Sequence, residues 1–392
     1  MKKFFIYFLL LLFIVALFVL ACLIFAKQKD EGGIFWTSPE EAALEQAQSE
    51  AERVLEAIDE QIDSMTLEEK VGQLFVFGFS GKILSPELQT LIEDYHIGGL
   101  IFLAYNLGSP EEIKTLMSAL QTLALAQPSQ LPLFMSVDQE GGVVTRLPNI
   151  NKVAQTKIQN QAEAWQVAQE RGQQLLNLGF NVNFAPVLDF VSQSSSFLAD
   201  RVFPGTIAER SALGKSTVEA YQSVNIIPVI KHYPGHPDSK VDSHQALPTA
   251  DLSKAEVLTN AQSFQVALND GPMMVMSGHI AYPQVDAQYP TSLSSIFIND
   301  ILRGEWGYDG VVITDDLSMG ALQNNFTNAE IARLAFLAGN DILLYIADLE
   351  KQRAMYETIL QAVRSGEIPE ERLNDSLRRI LLLKHKIFNL YD

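Results

Sequence analysis

Beyond residue 50 the chain alternates between two hydrophobic rhythms. Short runs rich in β-branched and aromatic residues, at 74–79, 99–103, 133–137, 182–185, 226–230, 273–277, 310–314 and 341–345, are separated by longer stretches in which apolar side chains return every three or four positions. Short continuous apolar runs read as strands buried on both faces, and the longer stretches as amphipathic helices. Eight such strands with helix-sized spacers predict an α/β fold, a parallel sheet closed into a (β/α)8 TIM barrel, rather than an open sheet, for which no dinucleotide glycine fingerprint is present. Pro228 removes a ladder donor inside the fifth run, so the limits of that strand are the least sharply defined. Upstream, Ser38-Pro39-Glu40-Glu41 and Thr66-Leu67-Glu68-Glu69 each place a hydroxyl three residues before an acid, the signature of a capped helix start. Ala51, Leu55, Ile58, Ile62 and Met65 recur at helical spacing between them and predict one packed face.

The first 26 residues follow a different pattern and stand outside the fold. After Lys2 and Lys3, residues 4–26 are apolar without a break, about 34 Å as a helix and therefore long enough to span a bilayer. One reading is an uncleaved signal anchor. The other is a lipoprotein signal, with Val19-Leu20-Ala21-Cys22 as processing box and Cys22 carrying the lipid. Leu23-Ile24-Phe25-Ala26 prolongs the apolar run past the cysteine and favours the anchor. Lys2 and Lys3 favour a cytoplasmic N-terminus against the opposing Lys27 and Lys29, which leaves a membrane-anchored chain whose globular part faces out of the cytoplasm. The expected organisation is thus a targeting segment at 1–26, a tether and the start of a helix at 27–49, and one barrel domain at 50–392.

Charge and cysteine content narrow the chemistry. A formal charge of −19 disfavours nucleic acid or an anionic lipid surface as a partner. Cys22 is the single cysteine of the chain, so the globular part has no disulfide, cysteine-zinc site or cysteine nucleophile.

Polar residues gather just after the predicted strands: Asp138 after the third, Asp189 after the fourth, Lys231-His232 after the fifth, Gly278-His279 after the sixth and Asp315-Asp316 after the seventh. In a parallel barrel all these ends open on one face, so residues far apart in sequence converge there. The segment KHYPGHPDSKVDSH at 231–244 is a loop, since Pro234-Gly235 and Pro237 forbid the helical pair of histidines found in zinc proteases. Asp242-Ser243-His244 sets a carboxylate two residues before an imidazole, close enough to fix its tautomer and raise its basicity.

This loop resembles that of glycoside hydrolase family 3, in particular its bacterial β-N-acetylglucosaminidase branch. Further resemblance lies in VDQEGGVVTRL at 137–147, NFAPVLDF at 183–190, Asp200-Arg201 and VVITDDLSMGAL at 311–322, in the family's order and spanning the chain from about residue 65 onward. Pro237 replaces the family's glycine after His236 and Ser239 its common threonine, departures that bear on the flexibility of the loop. The resemblance implies a retaining exo-β-N-acetylglucosaminidase acting on terminal β-linked GlcNAc of cell-wall muropeptides or related glycans, without cofactor or metal. It implies Asp315 as nucleophile, His244 as general acid/base and Asp242 as its orienting partner. Lys231 and His232 match residues that hold sugar hydroxyls, and Asp138, Arg146 and Arg201 match those lining the sugar subsite. A single catalytic barrel fits the branch in which the barrel's own loop supplies the acid/base.

Rival assignments stand beside these. Asp316 adjoins Asp315 and is read as structural; His236 and His279 are read as packed or hydrogen-bonding residues, Asp189 as ordering its loop, and Gly141-Gly142 as allowing tight backbone packing rather than cradling phosphate. His96 and His385 receive no role. The competing functions are a β-GlcNAc phosphorylase or another β-glycosidase of the family, because a histidine acid/base does not repel phosphate as a carboxylate would; a metal-dependent hydrolase using His232, His236, His244 and Asp242; and a catalytically silent cell-wall binding protein.

Overall fold

The computed structural model describes residues 39–191, 196–237, 241–269 and 271–391. The apolar N-terminal segment with Cys22, the tether, Ser38 and Ser239 lie outside the described residues, among which no helix is long and apolar enough to cross a membrane. The chain divides into two compact units, residues 1–53 and 54–392, and the long helix α1 (Pro39–Ser64) crosses their boundary. In the second unit the packed stripe is Val54, Ile58, Ile62 and Met65, whereas Leu55 is exposed and Ala51 is exposed in the first. The expected face is therefore corrected at its N-terminal end. Steps of four from Ile62 through Ile58 reach Val54, while the step of three to Leu55 turns to the outer flank.

Each of the eight predicted runs holds a strand, the fifth running past its expected end to take in Lys231 and His232: β1 (Phe75–Phe77), β2 (Gly99–Phe102), β3 (Phe134–Val137), β4 (Val182–Asn183), β5 (Ile227–Tyr233), β6 (Met274–Ser277), β7 (Val311–Thr314) and β8 (Leu343–Tyr345). They form one parallel sheet in the order β8-β1-β2-β3-β4-β5-β6-β7. The seam between β7 and β8 carries an isolated parallel bridge, Ile313 to Ile342. There the Thr314 side-chain oxygen accepts the Leu344 N–H at 3.0 Å, replacing a backbone rung. The result is a nearly closed eight-stranded parallel barrel, consistent with a (β/α)8 barrel.

Pro228 fits because of the alternation along β5. Ile227 and Val229 donate their N–H groups to Asn181 and Ala185 on the β4 side, so position 228 turns toward β6, whose register begins only at Val229 against Met274. Helix starts follow the local code, with hydroxyl–glutamate capping boxes at Thr66/Glu69, Ser109/Glu112, Thr206/Glu209, Ser253/Glu256 and Thr327/Glu330. Such caps stabilise each start by roughly 1 kcal/mol. The strands are buried along their whole lengths, and the largest apolar cluster joins residues of all eight to the surrounding helices.

Candidate active site

The site begins where β3 ends. Asp138 leaves the strand and is followed by a short antiparallel hairpin, Gln139–Gly141 against Val144–Thr145. The buried Gln139 side chain folds this hairpin back: its oxygen accepts the N–H groups of Arg146 and Leu147 at 2.9 and 3.0 Å. Arg146 is thereby brought to 3.6 Å from the Asp138 carboxylate. Gly141 and Gly142 have φ of +88° and +61°, and a Cβ on Gly141 would meet the Val153 carbonyl at 2.2 Å. The glycine pair thus serves close backbone packing. Arg171, buried behind it, donates to the carbonyls of Glu140 and Val153.

Glu140 is the residue that sequence reasoning passed over. Its carboxylate is buried and receives Arg201 as a fork, at 2.9 and 2.7 Å, together with the Lys231 ammonium at 2.7 Å. Lys231 reaches across to Asp138 as well, also at 2.7 Å. Burial pushes the Glu140 carboxyl upward, yet Lys231 and Arg201 outweigh it and hold the group down at about 2. Burial likewise opposes the charge of Lys231, but Asp138 and Glu140 keep its affinity for the proton above the ordinary value. The available signal was spacing: Asp138 and Glu140 are two apart in an extended segment and so share a side.

At the end of β5 the register against β6 shifts between Ile230 and Tyr233, giving space for both Lys231 and His232 to reach the site. His232 is clamped from behind by Asp189, whose carboxylate accepts the ring Nδ1–H at 2.8 Å and the His232 backbone N–H at 3.2 Å. A carboxylate can only accept, so Nδ1 carries the proton and Nε2 faces Asp315 Oδ2 at 4.0 Å. The other Asp189 oxygen accepts the backbone N–H of His236 at 2.6 Å. Burial raises the Asp189 carboxyl, but His232 and the His236 backbone bring it down to about 2. Burial also lowers His236 to about 3, so it sits as a neutral ring, edge-on to His232 and Phe197.

The paired aspartates after β7 have opposite surroundings. Asp315 accepts the Asp316 backbone N–H at 2.8 Å. Burial is the largest influence on its carboxyl and pushes it up, but His232, His279, that N–H and Lys231 together hold it well below the usual range. Asp316 is turned to the loops instead. It accepts the backbone N–H groups of Ser318 and Ile346 at 2.9 and 3.0 Å and the Ser318 hydroxyl at 2.6 Å, while burial, aided by Asp315, lifts its carboxyl to about 6. His279, buried at the end of β6, contacts the Ser292 hydroxyl at 2.7 Å and the Asp316 carbonyl at 3.0 Å. The carbonyl must accept, which makes this ring a brace of the β7 exit.

Asp242 and His244 stand at the rim. Asp242 Oδ1 lies 2.8 Å from His244 Nδ1 and also accepts the His244 backbone N–H at 3.0 Å. The His244 side chain is 69% exposed, its Nε2 edge free to exchange protons with solvent or a ligand. Between rim and floor lies a cavity of about 350 Å³ lined by Asp138, Glu140, Arg146, Arg201, Lys231, His232, His244, Asp315 and Asp316, within the range of small-molecule sites. Its other wall is apolar, from Ile101, Leu103, Met276, Met319, Leu344 and Ile346. A further hollow of about 450 Å³, near the start of β6 and β7 and lined by Trp306, Tyr308 and Arg379, gathers none of these groups. The ligand set of a metal-dependent hydrolase has other partners here: the His232 ring is held by Asp189, the His236 ring packs edge-on against His232 and Phe197, and His244 pairs with Asp242. Among the described residues no group of three or more His, Cys, Asp or Glu is placed to hold a metal ion.

The fold and this strand-end chemistry have counterparts among known proteins. The N-terminal domain of glycosyl hydrolase family 3 matches residues 66–383. β-Hexosaminidase A of Pseudoalteromonas piscicida is 33% identical over 335 residues, which cover 78% of this chain and 56% of that protein. β-Hexosaminidase LpqI of Mycobacterium tuberculosis is 31% identical, with 81% of this chain and 82% of the relative covered. A solved family 3 β-N-acetylglucosaminidase from Paenibacillus sp. superimposes with a TM-score of 0.78 at 37% identity, over 82% of this chain and 63% of that structure. This chain therefore spans little more than half of the Pseudoalteromonas relative and most of the mycobacterial one. By its domain, its sequence relatives and its fold, the chain belongs to glycosyl hydrolase family 3, in the branch of the bacterial β-hexosaminidases.

Proposed function

We propose that the barrel is a retaining exo-β-N-acetylglucosaminidase that removes terminal β-linked GlcNAc from cell-wall muropeptides or related glycans. The observation that carries this reading is the Asp315 carboxylate, kept ionised at the end of β7 in a cavity that is also lined by His244, whose ring is paired with Asp242. In the first step a carboxylate oxygen of Asp315 attacks the anomeric carbon and forms an ester as the glycosidic C–O bond breaks. His244 Nε2 gives its proton to the departing oxygen, and Asp242 stabilises the imidazolium through Nδ1–H. In the second, His244 Nε2 takes a proton from water, the water oxygen bonds to the anomeric carbon and Asp315 is released as carboxylate. Asp138, Arg146, Arg201, Lys231 and His232 would hold the sugar.

The test is to trap the intermediate with a fluorinated GlcNAc donor bearing an activated leaving group and to map the modified peptide. A sugar ester on the peptide containing Asp315, with β-GlcNAc as first product from an ordinary substrate, is the expected result. Labelling elsewhere, or release of the α-anomer, rejects the mechanism.

We infer further that the chain is anchored to a membrane through residues 4–26 with the barrel outside the cytoplasm, from the length of that apolar run. Full-length protein is expected to sediment with membranes, and deletion of residues 1–30 to release active soluble enzyme. Cys22→Ser separates the anchoring modes: a lipoprotein loses its mass shift and processing, while a spanning helix keeps its behaviour. Recovery of intact full-length protein in the soluble cytoplasmic fraction would refute the placement.

A further inference from the structure

The nucleophile segment and the acid/base loop are joined through their backbones. After Asp315 the chain turns through Asp316 and Ser318 into a short helix, Gly320–Gln323, whose cap residue Met319 supplies no side-chain acceptor. A helix start leaves backbone N–H groups without intrahelical partners. Here the partners come from the His244 loop: Gly320 N–H donates to the His244 carbonyl at 3.2 Å and Ala321 N–H to the Ser243 carbonyl at 3.1 Å. From the far end of the helix the Asn324 side chain donates to the Gln245 carbonyl at 2.9 Å. Three successive carbonyls, of residues 243, 244 and 245, are thus received by one turn of helix. The approach requires glycine at position 320, since a Cβ there would stand 2.7 Å from the Gln245 oxygen and 2.8 Å from that of His244.

The same unit is tied to the reacting carboxylate. Met319 N–H donates to the Asp316 carbonyl, Asp316 holds Ser318 by two hydrogen bonds, and the Asp316 N–H is the hydrogen bond on Asp315. On the other side, the Asp242 carbonyl accepts the N–H groups of Gln245 and Ala246 at 2.9 and 3.1 Å, so the turn that sets Asp242 against His244 is continuous with the docked carbonyls. The His244 side chain is largely exposed, and its contacts with Asp242 lie within the same turn, so the place of the pair follows that of the loop backbone.

We propose that this junction is a latch that sets the acid/base relative to the nucleophile, with Gly320 and Asn324 as positioning residues that never touch substrate. The proposal rests on the assignment of Asp315 and His244 made above. A displaced loop costs proton donation but not nucleophilic attack, so its effect must depend on the leaving group: an activated aryl glycoside departs without a proton, whereas a sugar or alkyl group does not.

The experiment measures kcat/KM, which reports the glycosylation step, in full-length protein for 2,4-dinitrophenyl β-GlcNAc and for the disaccharide chitobiose. Gly320→Ala, Asn324→Ala and Asn324→Asp are compared with His244→Ala. His244→Ala should lower chitobiose turnover by about 100-fold or more while nearly sparing the dinitrophenyl substrate. Gly320→Ala should repeat that selectivity at about tenfold or more. Loss of the single Asn324 hydrogen bond should give about three- to fivefold, with Asn324→Asp no better than alanine because a carboxylate cannot donate. If His244→Ala is selective but the Gly320 and Asn324 variants are not, or if they lose both substrates equally, the latch is wrong and the catalytic reading stands. If His244→Ala is itself unselective, that reading fails first. Asn324 is on the surface, so its variants remain informative should Gly320→Ala not fold.

Discussion

Asp315→Ala should lower kcat/KM for an aryl β-GlcNAc by about 10⁴-fold or more, while Asp316→Asn stays within about tenfold of the parent. The two aspartates are neighbours, and their difference lies in what meets each carboxylate. Asp315 accepts one hydrogen bond from the Asp316 backbone and otherwise looks into the cavity, so truncation removes the attacking group and little of the scaffold. Lys231 keeps its partners Asp138 and Glu140, and the thermal midpoint of Asp315→Ala should remain near that of the parent or above it. Asp316 instead carries the backbone N–H groups of Ser318 and Ile346 on one oxygen. An asparagine oxygen can accept both, and its amide removes a buried charge that burial already lifts to about 6. Asp316→Ala, which orphans both N–H groups, should destabilise the fold by roughly 1–3 kcal/mol. Steady-state kinetics with a thermal melt of each variant decides the matter. An Asp315→Ala enzyme of near-parental activity, or an Asp316→Asn enzyme that is dead but folded, would reverse the roles.

Removal of Glu140 is expected to have the largest effect on stability. Glu140→Ala should cost about 3–5 kcal/mol, because it strands a buried guanidinium and takes one of two counter-charges from a buried ammonium. The Arg201 side chain is 14% exposed and that of Lys231 3%, too little for water to replace the carboxylate. Glu140→Gln keeps the shape and part of the hydrogen bonding and should fall between. The effect carries a pH signature. The folded carboxyl sits at about 2, below its ordinary 4.5, so the stability it contributes is present above pH 4.5 and drains away as pH falls toward 2. The gap between parent and Glu140→Gln, measured by urea unfolding, should therefore be widest near neutrality and close across that acid window. Asp189, displaced in the same direction from 3.8 to about 2, adds to the acid lability of the parent but is common to both proteins. A gap under about 1 kcal/mol at neutral pH would mean that the network contributes nothing net.

Much of this protein could be read from local pattern. The eight strands, the capped helix starts and the placement of Asp138, Lys231, His232 and Asp315 at strand ends depend on residues a few positions apart, and periodicity and side-chain chemistry act at that range. The Asp242–His244 pair is of the same kind, since two residues in one turn meet whatever the barrel does. What the sequence left undetermined is every contact between strand ends. Glu140 meets Arg201 and Lys231 across 61 and 91 positions of chain, Asp189 meets His232 across 43, and the 243–245 carbonyls find Ala321, Gly320 and Asn324 only because β5 and β7 flank β6. Barrel closure and register bring these groups together, and a hydrophobic pattern specifies that a strand is buried without specifying which polar ends it will face. Partners rather than burial separate Asp315 from Asp316: burial pushes both carboxyls up, but His232, His279 and Lys231 overcome it at Asp315, while at Asp316 the hydrogen bonds from Ser318 and Ile346 do not, and the Asp315 charge adds to the rise.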